Sequence, residues 1–332
     1  MTDTDIIAFL NRSGLIDPGT TPSMKPLTGG VSSDIWRVET ASNAICVKRA
    51  LPTLKTEKEW HAPVERNANE ADWFRKAAEI VPDAVPELLA EDCDAGMFAM
   101  AYLDPETNPL WKKELRDGRV TPGFAAAVGA TLGKIHAATA NDDIVAERFA
   151  TDEIFHAIRI EPYLLRTAET CPDVAPRLKA LARVTAETRQ VLVHGDVSPK
   201  NILSGARGPI FLDAECAWYG DPAFDLAFCM AHLFLKCVPR PSSTEDYLAC
   251  FNAFAAANLD AVGWEPSAEL EARTCVMLAG MILARIDGKS QVEYIIDESE
   301  KDRVRDFARR FLLTPAERLS EMRDAWHAEW LP

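Results

Sequence analysis

One stretch of the chain combines carboxylates and an amide in an order suited to phosphate chemistry. Asp196 follows an apolar run in Val-Leu-Val-His-Gly-Asp, Asn201 comes five positions later, and a second apolar run leads to Asp213 and Glu215. Carboxylates are costly to hold at the ends of buried segments unless a cation or a reacting group meets them. Oxygen ligands of this kind suit Mg²⁺ that is shared with nucleotide phosphates. The set therefore predicts a magnesium-dependent nucleotide site.

Two short strands are expected to position these side chains. The runs at 191–193 and 209–213 have strand character, and a single Asp or Asn after a strand is ordinarily only a turn residue. The ordered set is much less expected by chance. On an extended run, Asp213 and Glu215 would point the same way because they are two residues apart. The sequence thus predicts that both carboxylates face one metal ion.

Composition excludes several classes of partner. The 332 residues carry a formal net charge of −15 at pH 7, and 48% of the positions are hydrophobic. The chain is long enough for two lobes around a sizeable core. Nucleic acid or an anionic membrane surface would need basic patches on the protein. We therefore expect neither nucleic acid nor membrane as a partner.

Cysteine usage and the N-terminal sequence indicate a compartment. The eight cysteines are scattered without a Cys-x-x-Cys pair, which is typical of buried thiols in a reducing environment. The sequence begins Met-Thr-Asp-Thr-Asp, unlike a secretory signal, and no run approaches the length of a membrane span. These features predict a cytoplasmic protein. A homodimer is compatible with the sequence, which does not determine the oligomeric state.

The pattern of apolar residues divides the chain into two parts. The first part begins with a short amphipathic helical segment at about 3–13, followed by strand-like segments with one intervening helical segment from about 64 to 80. After Leu103 the helical period dominates, in segments rich in Ala and Leu. We predict an α+β protein with a small antiparallel sheet and one helix in residues 1–103, and a larger, mainly helical part in residues 104–332.

The order of these motifs resembles the kinase-like phosphotransferases, the family of aminoglycoside phosphotransferases, choline kinases and methylthioribose kinases. In that family the loop written here as His-Gly-Asp196…Asn201 carries the acid that orients the acceptor hydroxyl and an amide ligand of Mg²⁺. Asp213 lies where the family has its metal-binding aspartate, and the Asp-x-Glu form is similar to methylthioribose kinases. The resemblance implies a protein kinase-like two-lobe fold with ATP and Mg²⁺ as cofactors. It implies Asp196 as the catalytic residue, with the metal ligands Asn201, Asp213 and Glu215.

A turn near the start of the chain is a candidate phosphate-binding loop. Its backbone amides and hydroxyls would donate to phosphate oxygens at Gly29, Gly30, Ser32 and Ser33. Turns between strands are also rich in Gly and Ser for conformational reasons alone. The paired glycines differ from the G-x-G-x-x-G of protein kinases, so the phosphate interpretation depends on the residues that follow.

A lysine and a glutamate follow at the positions that kinases use to hold nucleotide phosphates. In kinases a lysine on the third strand contacts the phosphates and is held by a glutamate of the next helix. Lys48 ends the run Ile-Cys-Val-Lys. Glu70 is preferred as its partner over Glu65 and Glu59, which lie near the helix start or before it. The same resemblance implies that Met100 and Tyr102 contribute to the ATP site.

Three residues are candidates for contacting the acceptor. Trp218 and Tyr219 lie just beyond the metal acids, where they would form part of an aromatic cage for a choline-type cation or flank a sugar. Arg285 lies where methylthioribose kinases place arginine near the sugar. Those enzymes carry a pair of arginines, so the alternative for Arg285 is that it braces a helix.

Two further residues are expected to support the catalytic loop. For His194, a structural role in bracing the loop is favoured over a role in the reaction. Asp225 belongs to a Gly-Asp-Pro…Asp-Leu pattern, and in the resembling family the corresponding aspartate bonds the loop backbone.

The leading hypothesis is an ATP-dependent kinase acting on a hydroxyl of a small molecule such as a sugar, an amino alcohol or an aminoglycoside-like compound. A protein kinase is disfavoured because only residues 214–224 separate Asp213 from Asp225, which leaves no room for an activation loop. The second alternative is a nucleotide-binding pseudokinase without turnover. It predicts the loss of at least one catalytic group, and all of them are present.

Overall fold

An antiparallel sheet forms the first part of the protein. The computed structural model describes residues 3–27, 33–40, 43–51 and 65–330. Within these residues five strands pair in the order β1-β2-β3-β5-β4. They are β1 Met24–Leu27, β2 Ser33–Glu39, β3 Ala44–Ala50, β4 Leu88–Asp92 and β5 Met97–Ala101.

The alternation of side chains along β3 places one helix on each face of this sheet. Ile45 and Val47 point to the side covered by α1, Asp3–Arg12. Cys46 points to the other side, where it joins the core formed with α2, Arg66–Ile80. Lys48 shares the face of Cys46 because two residues separate them. The period of the strand thus directs the lysine toward α2.

The second part is mainly helical. Its helices are α3 Trp111–Arg116, α4 Pro122–Thr139, α5 Asp143–Arg148, α6 Asp152–Phe155, a π-helix His156–Leu165, α7 Arg166–Thr170, α8 Ala175–Glu187, α9 Pro222–Cys237, α10 Thr244–Leu259, α11 Ser267–Asp287, α12 Glu298–Leu313 and α13 Leu319–Trp330. The small residues of α4 permit a close approach to α10. A Cβ atom on Gly129 would lie 2.3 Å from the carbonyl oxygen of Phe254, so only glycine fits there.

Two small antiparallel pairs frame the loops that carry the predicted site. β6, Val191–Val193, pairs with β9, Trp218–Gly220. β7, Ile202–Gly205, pairs with β8, Gly208–Phe211. The expected strand at 209–213 is therefore too long, because it ends at Phe211. The lobe boundary placed after residue 103 follows the last strand of the sheet and stays a prediction.

The cysteines are buried as the sequence predicts, with one exception. Seven of the eight cysteines are buried, whereas Cys93 is exposed.

No helix in the described part of the chain is both long and apolar enough to cross a membrane.

Candidate active site

An aspartate of α9 holds the backbone of the catalytic loop. The two carboxylate oxygens of Asp225 accept hydrogen bonds from the backbone nitrogens of His194, at 2.8 Å, and of Gly195, at 2.7 Å. The ring of His136 lies 3.2 Å from the same carboxylate. Gly195 has a φ of 77°, and a Cβ there would lie 2.7 Å from the carbonyl oxygen of Cys216. The supporting role expected for Asp225 is confirmed.

Asp196 is a buried carboxylate held by two cations. Its Oδ2 lies 2.9 Å from Nη2 of Arg159 and 3.2 Å from Nζ of Lys200. Burial alone would raise the pKa of Asp196, but Lys200 and Arg159 outweigh it and the pKa is lowered. Its Oδ1 is buried without a hydrogen-bond partner among the described residues. The loop therefore presents one ionised oxygen that lacks a donor.

Sequence reasoning missed Arg159. It lies in the π-helix, where Pro162 interrupts the normal helical bonding. Its Nε donates to the carbonyl oxygen of Gly195 at 2.5 Å, and its Nη1 donates to that of Ile158 at 2.6 Å. These bonds fix the guanidinium against Asp196. The helical proline was the only local signal of irregular structure, and it does not reveal which loop the arginine reaches.

His194 stabilises the loop from within. Its Nδ1 accepts a hydrogen bond from the backbone nitrogen of Asp196 at 3.1 Å. Its ring lies edge-on to Trp73 of α2, with ring centroids 4.7 Å apart. Burial lowers the pKa of the imidazole despite the nearby carboxylates of Asp225 and Asp196. A neutral, buried ring that accepts from the loop backbone supports the structural role expected for His194.

Lys48, Glu70 and Asp213 form one cluster between the sheet and the helical part. Nζ of Lys48 lies 2.5 Å from Oε2 of Glu70 and 2.5 Å from Oδ1 of Asp213. The backbone nitrogen of Asp213 donates to Oε1 of Glu70 at 3.1 Å. Burial opposes the charge of the lysine, but the carboxylates of Asp213 and Glu70 outweigh it and raise the pKa of Lys48. The expected pairing of Lys48 with Glu70 is confirmed.

The expected arrangement of Asp213 and Glu215 on an extended run is wrong. Asp213 follows the end of β8 and has a φ of 65°, in the left-handed region. Glu215 turns toward α2 and its Oε2 lies 3.1 Å from Nε of Arg66. Asn69 of the same helix donates to the carbonyl oxygens of Glu215, at 3.2 Å, and Ala217, at 2.7 Å. Glu215 therefore joins the two parts of the protein, and its role as a metal ligand stays a prediction.

The donor set fits a magnesium ion that is shared with phosphates. Asn201 uses its amide nitrogen to donate to the backbone oxygen of Asp196 at 3.2 Å, and no described residue donates to its Oδ1. Asp213 is the neighbouring carboxylate of the cluster. Among the described residues no three His, Cys, Asp or Glu side chains form a metal cage. Mg²⁺ typically takes one or two protein oxygens and completes its shell with phosphates and water.

The remaining nucleotide-site residues are only partly described. Gly29, Gly30 and Ser32 lie outside the described residues. Ser33 is buried, and its hydroxyl has no partner among the described residues. Met100 is paired with Cys46 across β5 and β3. The guanidinium of Arg37 lies 4.6 Å from the ring centroid of Tyr102. Roles of these residues in binding ATP stay predictions.

Trp218 and Tyr219 are part of the core of the helical lobe. The ring of Trp218 is 1% exposed and stacks on Phe155 with ring centroids 4.4 Å apart, and its Nε1 donates to Asp152 at 3.1 Å. The hydroxyl of Tyr219 donates to the carbonyl oxygen of Gln190 at 2.8 Å. With their polar atoms bonded inside the fold, these side chains do not support the expected contact with the acceptor.

Arg285 braces the end of α11. Its Nη1 donates to the carbonyl oxygen of Ser290 at 2.5 Å and to the hydroxyl of that residue at 2.8 Å. The same nitrogen lies 3.4 Å from the hydroxyl of Tyr163 in the π-helix. The bracing alternative is therefore supported, while Nε of Arg285 is buried without a described partner.

A family model described as "Phosphotransferase enzyme family" matches residues 23–266. The chain belongs to this family. The match runs from just before β1 to the start of α11 and includes every described residue of the catalytic loop and of the Lys48 cluster. The expectation of an enzyme of the small-molecule kinase type is confirmed for this phosphotransferase.

Individual relatives and solved structures agree with the family. A methylthioribose kinase of Bacillus pumilus (strain SAFR-032) is 25% identical over 268 residues, which are 72% of this phosphotransferase and 67% of the relative. A methylthioribose kinase of Geobacillus thermodenitrificans (strain NG80-2) is 26% identical over 274 residues, which are 73% and 68% of the two chains.

Two solved structures share the fold at low identity. A choline/ethanolamine kinase family protein from Mesorhizobium loti has a TM-score of 0.52 at 17% identity, over 99% of this chain and all of the other. The amicoumacin kinase hAmiN, solved with AMP-PNP, Ca²⁺ and Ami, has a TM-score of 0.59 at 12% identity, over 98% and 97% of the chains. The expected two-lobe, kinase-like α+β fold is confirmed.

Proposed function

We propose that this phosphotransferase moves the γ-phosphoryl group of ATP to a hydroxyl group of a small molecule. The observation that carries the proposal is the buried Oδ1 of Asp196, which no described residue satisfies. An ionised oxygen in such a place is costly unless a ligand supplies a donor. The hydroxyl of an acceptor is a donor of the right kind. The Lys48 cluster and Asn201 border the same loop and suit the phosphate side of the reaction.

Each side chain has a separate part in this mechanism. Lys48, kept protonated and held by Glu70, donates to the nucleotide phosphates. Asp196 accepts the hydrogen bond of the acceptor hydroxyl and orients its oxygen toward the γ-phosphorus. Arg159 and Lys200 occupy the other carboxylate oxygen, so Oδ1 is the one that faces the acceptor.

Asn201 and Asp213 are the residues that would hold Mg²⁺. When bound, the ion neutralises negative charge on the phosphates. Asn201 would use its amide oxygen, since its nitrogen is engaged with the loop backbone. Asp213 would share its carboxylate between the ion and Lys48. The ion pair with Arg66 makes Glu215 the weaker of the three predicted ligands.

The choice of acceptors for an assay follows from the relatives. Two of them are named methylthioribose kinases, so methylthioribose belongs in the panel. Other sugars, choline, homoserine and aminoglycosides complete it. Release of ADP that depends on both the acceptor and Mg²⁺ would identify the reaction.

Replacing Asp196 by Asn tests the proposal. Asp196→Asn keeps the size of the side chain but removes its charge, so we expect turnover to fall by about 10²–10⁴-fold. ATP binding should stay within about threefold of the original, because the nucleotide contacts lie elsewhere. ADP release and calorimetric titration with Mg·AMP-PNP measure the two quantities. Undiminished turnover would contradict the role of Asp196.

A further inference from the structure

Helix α9 carries a line of side chains that leads away from the catalytic loop. Asp225, which holds the loop backbone, is followed at helical spacings by Phe228, His232 and Lys236. Residues three or four positions apart lie on one face of a helix. At a rise of 1.5 Å per residue, the line extends about 12 Å from Phe228 to Lys236. His232 and Lys236 therefore lie about one and two turns beyond Phe228.

Close contacts connect this line to Asp196. The guanidinium carbon of Arg159, which binds Asp196, lies 5.8 Å from the ring centroid of Phe228 and 5.9 Å from that of Tyr163. Arg285 approaches the same Tyr163 ring at 5.9 Å. The ring of Phe228 is 5.7 Å from that of His232. These contacts form a continuous series from the catalytic carboxylate to His232.

The outer end of this line contains buried side chains whose donors make few bonds with described residues. His232 is 9% exposed and Lys236 is 7% exposed, and neither makes a hydrogen bond or ion pair with a described residue. Nζ of Lys236 lies 5.0 Å from the ring centroid of Tyr294. The hydroxyl of Tyr294 and Nε of Arg285 are also buried without described partners. Such groups are costly to bury unless a ligand with acceptor oxygens binds them.

The charged groups that act on His232 are cations. Burial lowers the pKa of His232 well below its usual value, and the cations Arg285, Lys236, Lys200 and Lys112 lower it further. Glu293 is the nearby acid, and its Oε1 lies 2.5 Å from Nζ of Lys112, so its charge is already balanced. Arg285 and Glu293 also line a cavity of about 330 Å³, together with a third charged residue, Lys301.

We propose that the acceptor alcohol carries a compact oxyanion, a carboxylate or a phosphate, which His232, Lys236 and Arg285 bind while its hydroxyl faces Asp196. This inference rests on the proposed kinase function and specifies its substrate class. Cationic acceptors such as choline or an aminoglycoside would meet like charges here, which disfavours them.

The reaction that follows is an ordinary phosphoryl transfer. The acceptor oxygen bonds to the γ-phosphorus, and the bond from that phosphorus to the bridging oxygen of the β-phosphate breaks. ADP leaves with the electron pair, and the hydroxyl proton is released through the hydrogen bond to Asp196. The oxyanion at the other end of the acceptor takes no part in the chemistry and serves to position the hydroxyl.

Anion binding without turnover is the first test. The full-length protein is saturated with Mg·AMP-PNP and titrated by calorimetry with sulfate, as a tetrahedral oxyanion, and with acetate, as a carboxylate. We expect saturable binding of at least one anion at a single site, and the tighter one indicates the type of group. Lys236→Met should weaken that binding by at least about tenfold, as expected for a lost charged hydrogen bond.

A surface lysine supplies the control. Lys179 is exposed on α8, so Lys179→Met changes the net charge equally and should leave anion binding unchanged. Equal weakening in both variants, or no saturable binding to the original protein, would overturn the proposed anion site.

Turnover on acceptors of matched size is the second test. ADP release is measured with glucose, glucosamine, glucuronate and glucose 6-phosphate. We expect at least one anionic acceptor to have a kcat/KM about tenfold or more above the neutral and cationic ones, and Lys236→Met to remove that preference without changing the KM for ATP. A preference for glucose or glucosamine would overturn the inference while leaving the kinase function intact. The kinase function is tested separately, by the turnover of the Asp196→Asn variant.

Discussion

The two cations at Asp196 decide what that residue can contribute. Arg159 and Lys200 lower the pKa of its carboxyl, so Asp196 is ionised at neutral pH and binds a proton weakly. A weak base contributes more by fixing the direction of the acceptor hydroxyl than by removing its proton early. This agrees with a loose transition state for phosphoryl transfer, in which the nucleophile needs little activation.

Arg159 is predicted to act through Asp196 as a positioning residue. Arg159→Met keeps the length of the side chain but removes the bonds to Asp196 and to the loop backbone. We expect kcat to fall at least about tenfold while the KM for ATP stays within about twofold, since a lost charged hydrogen bond is worth about 1.5–3 kcal/mol. Steady-state ADP release measures both parameters.

Two variants separate positioning by Arg159 from general stability. Arg159→Lys should recover part of kcat, because it restores the charge beside Asp196. Arg183→Met removes an exposed arginine of α8 and should behave like the original protein. An unchanged kcat in Arg159→Met would refute the role.

The left-handed backbone of Asp213 affects how its function can be tested. Asn tolerates this conformation well and Ala does not. Asp213→Asn and Asp213→Ala should both weaken the magnesium-dependent part of nucleotide binding. Asp213→Ala should lower the free energy of unfolding by about 1 kcal/mol more than Asp213→Asn.

Denaturant unfolding measures this difference. At Asp94, an exposed turn residue whose φ is not positive, the Asn and Ala variants should differ little. Equal unfolding free energies for the two Asp213 variants would show that the backbone there is not strained.

At single residues the sequence was informative where a bond is local or a motif is specific. The Lys48–Glu70 pair was implied by the resemblance to kinases and supported by helix spacing, and the resemblance also implied the clamp by Asp225. The directions of Glu215 and Trp218 depend on the turn after β8, which begins two residues earlier than the apolar run suggests. Arg159 reaches its partner across the fold, and no spacing in the sequence encodes that contact.

Among the elements, α4 shows how composition sets the distance between helices. Gly129→Ala would place its Cβ 2.3 Å from a carbonyl oxygen of α10, and we expect a loss of about 1–3 kcal/mol in unfolding free energy. Gly123 lies in the same helix with no atom within 4 Å of a built Cβ. Gly123→Ala should be neutral or stabilising by up to about 1 kcal/mol. Similar losses in both variants would mean that helix propensity, and not the contact, is responsible.

Long periodic elements were predictable, and short ones were predictable only in part. The helix expected at about 64–80 is observed as α2, Arg66–Ile80, and the strand at 191–193 is observed exactly there as β6. The apolar run at 209–213 ends early because Leu212 and Asp213 leave the ladder that β8 forms with β7. The π-helix has no sequence period of its own, since Pro162 and the surrounding tertiary contacts determine it.

At the scale of the whole molecule, net charge and local charge have opposite signs. The chain carries −15 overall, which by itself favours cationic ligands. The charged groups that act on His232, one turn beyond Phe228, are nevertheless cations. Composition predicts that nucleic acid is not a partner, but it contains no information on which charges the fold gathers at one site.

The pH dependence of anion binding is expected to follow Lys236. Burial, with repulsion from Lys112 and Arg116 of α3 and only partial compensation by Glu293, lowers its pKa to about 8. Tyr294 and His232 are its other polar neighbours. Lys236 is charged below that pH, so the affinity for sulfate should be constant near pH 7 and fall as the pH rises through 8. Calorimetric titration at a series of pH values measures this.

Stability should change in the opposite direction over the same range. The unfolded chain holds the Lys236 proton up to about pH 10.5, whereas the folded chain releases it near pH 8. The unfolded state therefore binds more protons between these values, and the contribution of Lys236 to the free energy of unfolding rises with pH. In Lys236→Met the sulfate affinity should lose its bend near pH 8. A bend of equal size in that variant would assign the titration to another group.

The bonds along α2 bear on how this enzyme is controlled. Arg66, Asn69 and Glu70 lie on one face of the helix, and all three bind residues of the helical lobe or the Lys48 cluster. Many regulated kinases withhold activity by displacing the corresponding helix until a modification or a partner restores it. Here the helix is already anchored in the paired position by bonds within a single chain. The arrangement of Lys48, Glu70 and Asp213 therefore forms from contacts within the described residues, and we expect it to need no modification or partner.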